Sequence, residues 1–342
     1  PQIGKVCQRH WSEPNELQNI LRRWLSCGMA GKKKRYAGVD EGLLSRGAAL
    51  QLISLVLRYG LSLDEAGNRS REFLKLNSRD KAFAWLSALS CLRHLGEIDA
   101  IIGRYLNRPL PNRENKVHDL LRLGTTQILF VGTPSYAAVN SMVSLAAATF
   151  PAHKGLVNAI LRRVVREGRN CLETLDGTYL NTPAWMWDSW VSEYGGAMAR
   201  RIAEANVREP PLDITAKNPE ITESLVKGKR MPTGSIRVYP NSAISALPGF
   251  SEGLWWVQDL AATFPVKMLG NVSGRQVVDL CAAPGGKTAQ LCNAGAEVTS
   301  LDISPNRLEI LKENLGRLSF SSKIVCSDVR EWRPEHLQEF VL

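Results

Sequence analysis

The sequence predicts a multidomain α and α/β protein: an all-helical bundle first, then a connecting subdomain, then the first part of a parallel α/β sheet. Three observations predict it. From residue 43 to about 168, Leu and Ala recur at helical spacing and strand patterns are scarce. Between about 172 and 254 the pattern is broken by Pro183, Pro210, Pro211, Pro219, Pro232, Pro240 and Pro248. Beyond 254, three short apolar runs each end at or beside an acid and alternate with helical stretches. The expected boundaries are an N-terminal extension at 1–35, the helical domain at 36–171, the connecting subdomain at 172–254 and the α/β unit at 255–342.

The chain opens on Pro1, and Met29, followed by Ala-Gly-Lys-Lys-Lys, is the expected natural start, with residues 1–28 an upstream translation. Amphipathic helices are expected at 82–95, 117–130, 135–148 and 154–166, with turn signals at Tyr59-Gly60, 107–112 and 132–134. In the last of these helices Leu156, Ile160, Leu161 and Val164 form one apolar stripe, and Arg162, Arg163, Arg166 and Arg169 fall largely off it. A basic face beside a packed face suits RNA phosphates. It equally suits a solvated helix whose arginines complement the helix dipole. In the connecting region Trp185, Trp187, Trp190 and Tyr194 share a helix, where packing into a core is favoured over stacking on bases.

Composition limits the classes. With 342 residues and 44% hydrophobic content the chain can bury the cores of two or three domains. No apolar run is long enough for a membrane span and no signal-peptide core is present, so a cytoplasmic protein is expected; a monomer is expected as a separate matter. The seven cysteines form no CxxC pair, which argues against disulfides and structural zinc and for reduced, mostly buried thiols. Charge is uneven: residues 1–250 carry 34 Lys and Arg against 22 Asp and Glu, and residues 251–342 carry 9 against 11. All the net positive charge therefore lies upstream of the α/β unit, where it fits a polyanionic partner or a basic surface kept for solubility.

The richest segment is VVDLCAAPGGKT, residues 277–288. Val277, Val278 and Leu280 make a buried strand, Gly285 and Gly286 allow a tight turn close to a ligand, and a helix starting near Lys287 aims free N–H groups at it. A phosphate-binding GxxxxGK[ST] loop fails because Cys281 stands where its first glycine belongs, and GxGxxG is absent. A methyltransferase-like sheet binding S-adenosylmethionine is the third reading. An ordinary strand and glycine turn would leave Asp279 and Pro284-Gly-Gly unexplained. The next strand, EVTSL, ends at Asp302 about 20 residues past the turn, the place of a ribose-binding acid. Ser304 and Pro305 then cap a helix carrying Arg307, Leu308, Leu311 and Leu315, and a strand from Ile324 to Cys326 leads to Asp328.

CAAPGGKT, preceded by Trp256-Val257-Gln258-Asp259 and followed by Asp302 and Asp328, closely resembles the RNA cytosine-5 methyltransferase family that includes the bacterial RsmB/Sun and eukaryotic NOP2/NSUN proteins. PSYAAVNSMVSLAAA at 134–148 and KGLVNAILRR at 154–163 resemble the NusB-type RNA-binding domain found in that family. The resemblance implies a NusB-like bundle followed by a Rossmann-like, S-adenosylmethionine-dependent methyltransferase sheet acting on ribosomal RNA, by kinship the 16S RNA, with no metal. It implies that Cys281, Ala282, Ala283, Pro284, Gly285, Gly286 and Lys287 wrap the cofactor's methionine part, that Asp302 holds the ribose and that Asp328 faces the adenine. Arg162, Arg163 and Arg166 are the expected RNA contacts.

Two departures stand out. Lys217 lies where the family has an arginine near an Arg-Val-Asn strand, which weakens the case for an RNA role there. The family's two cysteines, one in a Pro-Cys and one in a Thr-Cys motif, fall after a fourth strand, and Glu339-Phe340-Val341-Leu342 reads as the beginning of that strand. The catalytic cysteines are therefore expected beyond Leu342. Carbon 5 of cytosine is a poor nucleophile, so a thiolate must first add to carbon 6. Cys281 belongs to the cofactor loop and Cys326 to a strand end expected in the core, so no catalytic residue is assigned to residues 1–342. The expectation is a truncated, inactive form of a methyltransferase. The alternative is a noncatalytic RNA-binding or ribosome-assembly factor with a degenerate cofactor domain.

Overall fold

The computed structural model describes residues 41–239, 244–334 and 340–341. The extension expected at 1–35, the start expected at Met29, and Cys7 and Cys27 lie outside them, as does Leu342, the point beyond which the catalytic cysteines are expected. The chain divides into two units at Arg208 and Glu209. The connecting subdomain expected at 172–254 straddles that division: its first part is helical and belongs to the first unit, and the rest forms a sheet in the second.

The first unit is built of helices α1 (Glu41–Tyr59), α2 (Leu63–Arg69), α3 (Arg71–Leu74), α4 (Ser78–Arg93), α5 (Leu95–Tyr105), α6 (Asn115–Leu129), α7 (Ser135–Thr149) and α8 (Lys154–Glu173). Local signals fix their ends. Gly60, with φ 65°, follows α1 in the left-handed region. Ser62 and Glu65 close a reciprocal capping box on α2, and Asn77 caps α4. Leu52, Ile53, Ile98, Ile101, Leu120, Leu123, Met142 and Leu161 are fully buried in one core. Gly124 lets α6, α7 and α8 approach closely, because a Cβ there would meet Leu161 Cδ1 at 2.7 Å. The expected basic helix runs on past 166 to Glu173.

Short α9 (Gly177–Leu180) and the pair α10 (Ala184–Tyr194) and α11 (Gly196–Val207) complete the unit. The expected core packing of the tryptophan helix is not found. No residue of α10 is buried, Trp185 is 70% exposed, Tyr194 is also exposed, and Trp187 rests edge-on against Tyr179. The reason is the partner: α11 buries only the small Ala199 and Ala203, which leave no layer deep enough to enclose indole rings.

The second unit contains two sheets. Strands β1 (Leu212–Ala216), β2 (Lys229–Arg230), β3 (Ile236–Val238) and β4 (Trp255–Val257) form an antiparallel sheet in the order β2-β3-β1-β4, with α12 (Pro219–Val226) following β1. Ile214, Ile236 and Trp255 are its buried centre, and Asp213 is forked by Arg237 across the strand pair at 2.8 and 2.9 Å. Lys217 serves this framework: its ammonium donates to the Leu318 carbonyl and lies 4.7 Å from the Phe320 ring centroid.

The other sheet is parallel, built from β5 (Gln276–Asp279), β6 (Glu297–Asp302), β7 (Lys323–Cys326) and β8 (Phe340–Val341) in the order β7-β6-β5-β8. Its register pairs Val277 with Val298 and Phe340, and Asp302 with Cys326. The expected fourth strand thus begins beside β5. Because β6 and β7 lie on one side of β5 and β8 on the other, the strand order reverses at β5, and the crevice at that strand's carboxyl end is where such sheets hold ligands. A short α13 (Phe264–Met268) precedes the sheet, and α14 (Gly286–Asn293) and α15 (Pro305–Arg317) connect its strands. Ser304 caps α15 and Pro305 opens it, as the sequence predicts. Among the described residues no helix is long and apolar enough to cross a membrane, and no cluster of three His, Cys, Asp or Glu side chains could hold a metal.

Candidate cofactor site

β5 ends at Asp279, which is 1% exposed. Its Oδ2 accepts from the Thr288 hydroxyl at 2.8 Å, while its Oδ1 is buried without a hydrogen-bond partner. Burial pushes the Asp279 carboxyl above its ordinary value, a shift that the Thr288 bond, the Lys287 charge and the nearby Cys281 backbone N–H only partly oppose. A buried acceptor left open beside a glycine-rich loop is an energetic debt that a donor-bearing, cationic ligand would settle.

The loop after β5 is held from three sides. Ala282 N–H donates to the Leu301 carbonyl at 3.0 Å, and Gly285 N–H to the Ala282 carbonyl at 2.8 Å. Gly285 has φ 106°, so this turn needs a glycine. The Ala283–Pro284 bond is cis. From α15, Asn314 donates to the Pro284 carbonyl at 2.9 Å and Arg307 donates to the Ala283 carbonyl. From β4, Trp256 Nε1 donates to the Gly286 carbonyl at 3.1 Å and to Gln258 Oε1 at 3.0 Å. Trp256 and Gln258 therefore buttress the loop. α14 begins at Gly286, one residue before the expected start, and its first turn lies next to the loop.

The two further acids sit at the ends of the next strands. Asp302, 3% exposed, accepts from Ser304 N–H at 3.0 Å and Ala283 N–H at 3.3 Å, and pairs with Arg307 at 3.3 Å. Asp328, at the turn after β7, is forked by Arg330, whose hydrogen bonds pull its carboxyl down to about 2. Each acid is followed by an exposed aliphatic, Ile303 at 65% and Val329 at 44%.

The structure thus brings the 281–287 loop and Asp302 into direct contact and places Asp328 on the neighbouring strand end of the same sheet edge. Cys281 is exposed there, and so is Cys326, which corrects its expected place in the core: strand β7 ends before the side chain is covered. Among the described cysteines only Cys91 is buried, so the expectation of mostly buried thiols is also corrected. Sequence reasoning missed the Asp279–Thr288 pair, the aliphatics after the two acids, and Arg307, which it treated as part of a helical repeat. The short interval from Asp302 to Arg307, across a capped helix start, was the available signal.

The arginines expected at an RNA surface are far from this site in sequence and lie in the first unit. Arg162, Arg163, Arg166 and Arg169 are all exposed on α8. Arg162 donates to Asn158 at 3.1 Å, Arg163 lies 4.7 Å from the Tyr105 ring centroid, and Arg166 is 3.8 Å from Glu167.

A helical module of NusB type joined to a Rossmann-like sheet with this loop at its switch point defines a two-module protein of the methyltransferase class. The NusB family profile matches residues 44–166, and that of the 16S rRNA methyltransferase RsmB/F matches 266–341. The ribosomal RNA small subunit methyltransferase B of Salmonella typhi is 30% identical over 302 residues, 83% of this chain and 70% of the relative. Its counterpart from Erwinia tasmaniensis is 29% identical over 303 residues, 82% of this chain and 69% of the relative. The crystal structure of PH0851 shares the fold, with a TM-score of 0.61 at 19% identity over 86% of this chain and 71% of that one. The chain belongs to the ribosomal RNA small subunit methyltransferase B family, the RsmB/Sun family.

Proposed function

We infer that this protein binds S-adenosylmethionine in its second unit and methylates carbon 5 of a cytosine in small-subunit ribosomal RNA, gripped in part by its first unit. The observation that carries the reading is the meeting of the open Asp279 carboxylate, the 281–287 loop and Asp302 at the switch point of a parallel sheet. The open Oδ1 of Asp279 suits the cofactor's ammonium. In this reading Asp302 would accept from two ribose hydroxyls and Asp328 from the adenine amino group, with the exposed Ile303 and Val329 offering apolar faces to the ring. The bound cofactor would supply a methyl group on a positively charged sulfur.

In this reading the residues described above bind and orient that donor, and none of them is assigned as the attacking thiolate. Burial pushes Cys91 up to about 12 and Cys292 up to about 11, away from thiolate chemistry. This chain should bind S-adenosylhomocysteine in a calorimetric titration without methylating a 16S RNA transcript. No binding heat would overturn the cofactor reading, and methyl transfer would show that the nucleophile lies within this chain.

Proton linkage supplies a sharper readout. A carboxyl whose pKa is raised by folding stabilises the protein fully below its unfolded value and loses that contribution as pH rises through the folded one. A cationic ligand favours the ionised form and lowers the pKa again. Cofactor binding should thus strengthen as pH rises through the raised value and should release a proton on its acid side. Calorimetry in two buffers of different ionisation heat measures that proton. In Asp279→Asn the release should vanish and affinity fall about tenfold, the worth of one charge-assisted hydrogen bond.

For the RNA surface, replacing Arg162 and Arg163 together by alanine should weaken binding of single-stranded RNA. The slope of log affinity against log salt should shrink by about 1.4 if each arginine neutralises one phosphate. An unchanged affinity and slope would remove both from the interface.

A further inference from the structure

The first unit contains a cavity of about 640 Å³ between the loop that follows α5, the 3₁₀ turn Asn112–Glu114 and the start of α8. It is of the size that holds small ligands. Its lining has two characters. Pro109, Leu110, Pro111 and Leu156 give it flat apolar walls, while Asn107, Glu114 and His153 bring hydrogen-bonding groups to it. His153 Nε2 is 3.2 Å from Glu114 Oε2, which orients both groups. That combination, apolar against a face and polar against an edge, is what an unstacked nucleobase requires.

The neighbouring cations say what else the ligand carries. Tyr105 forms part of the wall, and its hydroxyl contacts Cys171 Sγ at 3.3 Å; burial pushes its pKa up to about 12, so it stays neutral. On its ring lies the guanidinium of exposed Arg163, which is thereby held in place before any ligand arrives. Arg163 is two helical turns beyond Leu156 on α8, roughly 10 Å along the axis, with Arg166 about one turn further. Arg108 also borders the cavity. A base pocket with one held cation and further arginines about one nucleotide or more away fits a single strand better than a free metabolite, and better than a duplex whose bases are stacked inside.

We propose that this cavity receives one unstacked base of a single-stranded RNA, with Arg163 and Arg166 holding the phosphates beside it. The proposal rests on the RNA reading above and adds a base-binding pocket to it.

The test is fluorescence anisotropy of the whole protein with a short labelled single-stranded RNA and with the same sugar–phosphate strand made abasic. The protein should prefer the base-bearing strand by roughly tenfold, as for one well-held base. Asn107→Trp, which fills the cavity from an exposed loop, should abolish most of that preference and leave the salt dependence unchanged; His153→Ala should act in the same direction. Thermal unfolding checks that both variants are folded. Replacing Arg162 and Arg163 should instead weaken both strands alike. Equal binding of the two strands by the unaltered protein, or a preference that survives both cavity variants, overturns the pocket while arginine-dependent binding still upholds the RNA reading. Failure to bind either strand overturns both.

Discussion

Asp302→Ala should weaken S-adenosylhomocysteine binding by at least about a hundredfold in a calorimetric titration of the whole protein. The direct part of the loss is two charge-assisted hydrogen bonds to the ribose, each about 1.5–3 kcal/mol, against about 1.4 kcal/mol per tenfold in affinity. The indirect part is written in the ligand-free geometry. Asp302 already receives Ala283 N–H, at 3.3 Å, from within the loop, and it pairs with Arg307, which also donates to the Ala283 carbonyl. One carboxylate therefore holds both ends of the Ala283 peptide neighbourhood, directly and through an arginine on α15. Removing it frees the loop as well as the ribose contact. Asp302→Asn keeps the shape and one acceptor, so it should fall between the alanine variant and the native protein. A loss below tenfold for alanine, with thermal unfolding unchanged, would place the ribose elsewhere.

That clasp shows where sequence reading reaches and where it stops. The loop, the acid after β6 and the capped start of α15 were legible because each is a local pattern: glycines where the backbone must turn, an acid at a strand end, a serine and proline opening a helix. Their union was not legible, because Arg307 and Asn314 meet the loop only when α15 packs back across the strands. The helices of the first unit were equally plain from periodicity, and the fourth strand from four residues. The tryptophan helix went the other way. Trp185, Trp187 and Trp190 have the spacing of a packed face, yet whether a face is covered depends on what lies opposite, and the only residues α11 fully buries are two alanines. Cys326 illustrates the same limit at a strand end: apolar neighbours along the chain suggested the interior, and the termination of β7 left the thiol outside. The orphaned oxygen of Asp279 lies beyond any sequence pattern, since it is a statement about missing partners in three dimensions.

A second large effect is expected in the first unit, at a site no motif announces. Asp119 on α6 has a fully buried side chain. Its Oδ2 accepts from Ser54 at 2.8 Å and Arg58 at 2.5 Å, both on α1, and its Oδ1 from Arg122 at 2.9 Å. Arg122 in turn forks Asp99 on α5 at 2.7 and 2.6 Å. The acids raise the arginine's pKa although burial works against its charge. The carboxylate thus ties α1 to α6, and Arg122 extends the network from α6 to Asp99 on α5; removing Asp119 takes a partner from both Arg58 and Arg122. Breaking a buried pair from one side costs about 3–5 kcal/mol. The lower end applies here, because Arg122 keeps Asp99 and the Arg58 side chain is 21% exposed and can turn toward water. Asp119→Ala should therefore lower the unfolding temperature of the helical unit by about 6–12 °C, at about 2–4 °C per kcal/mol for a unit of this size. Arg58→Met added to Asp119→Leu should recover part of the loss, since one buried charge is then removed with its partner instead of being stranded. A shift within 2 °C, roughly the effect of an ordinary surface substitution, would show that the arginines find other partners and that the three helices are held by their apolar core alone. Cofactor binding by the second unit should be untouched in the alanine variant, whereas RNA binding should fall with the helical unit, because the packing of α6 against α8 positions both the arginines and the cavity wall.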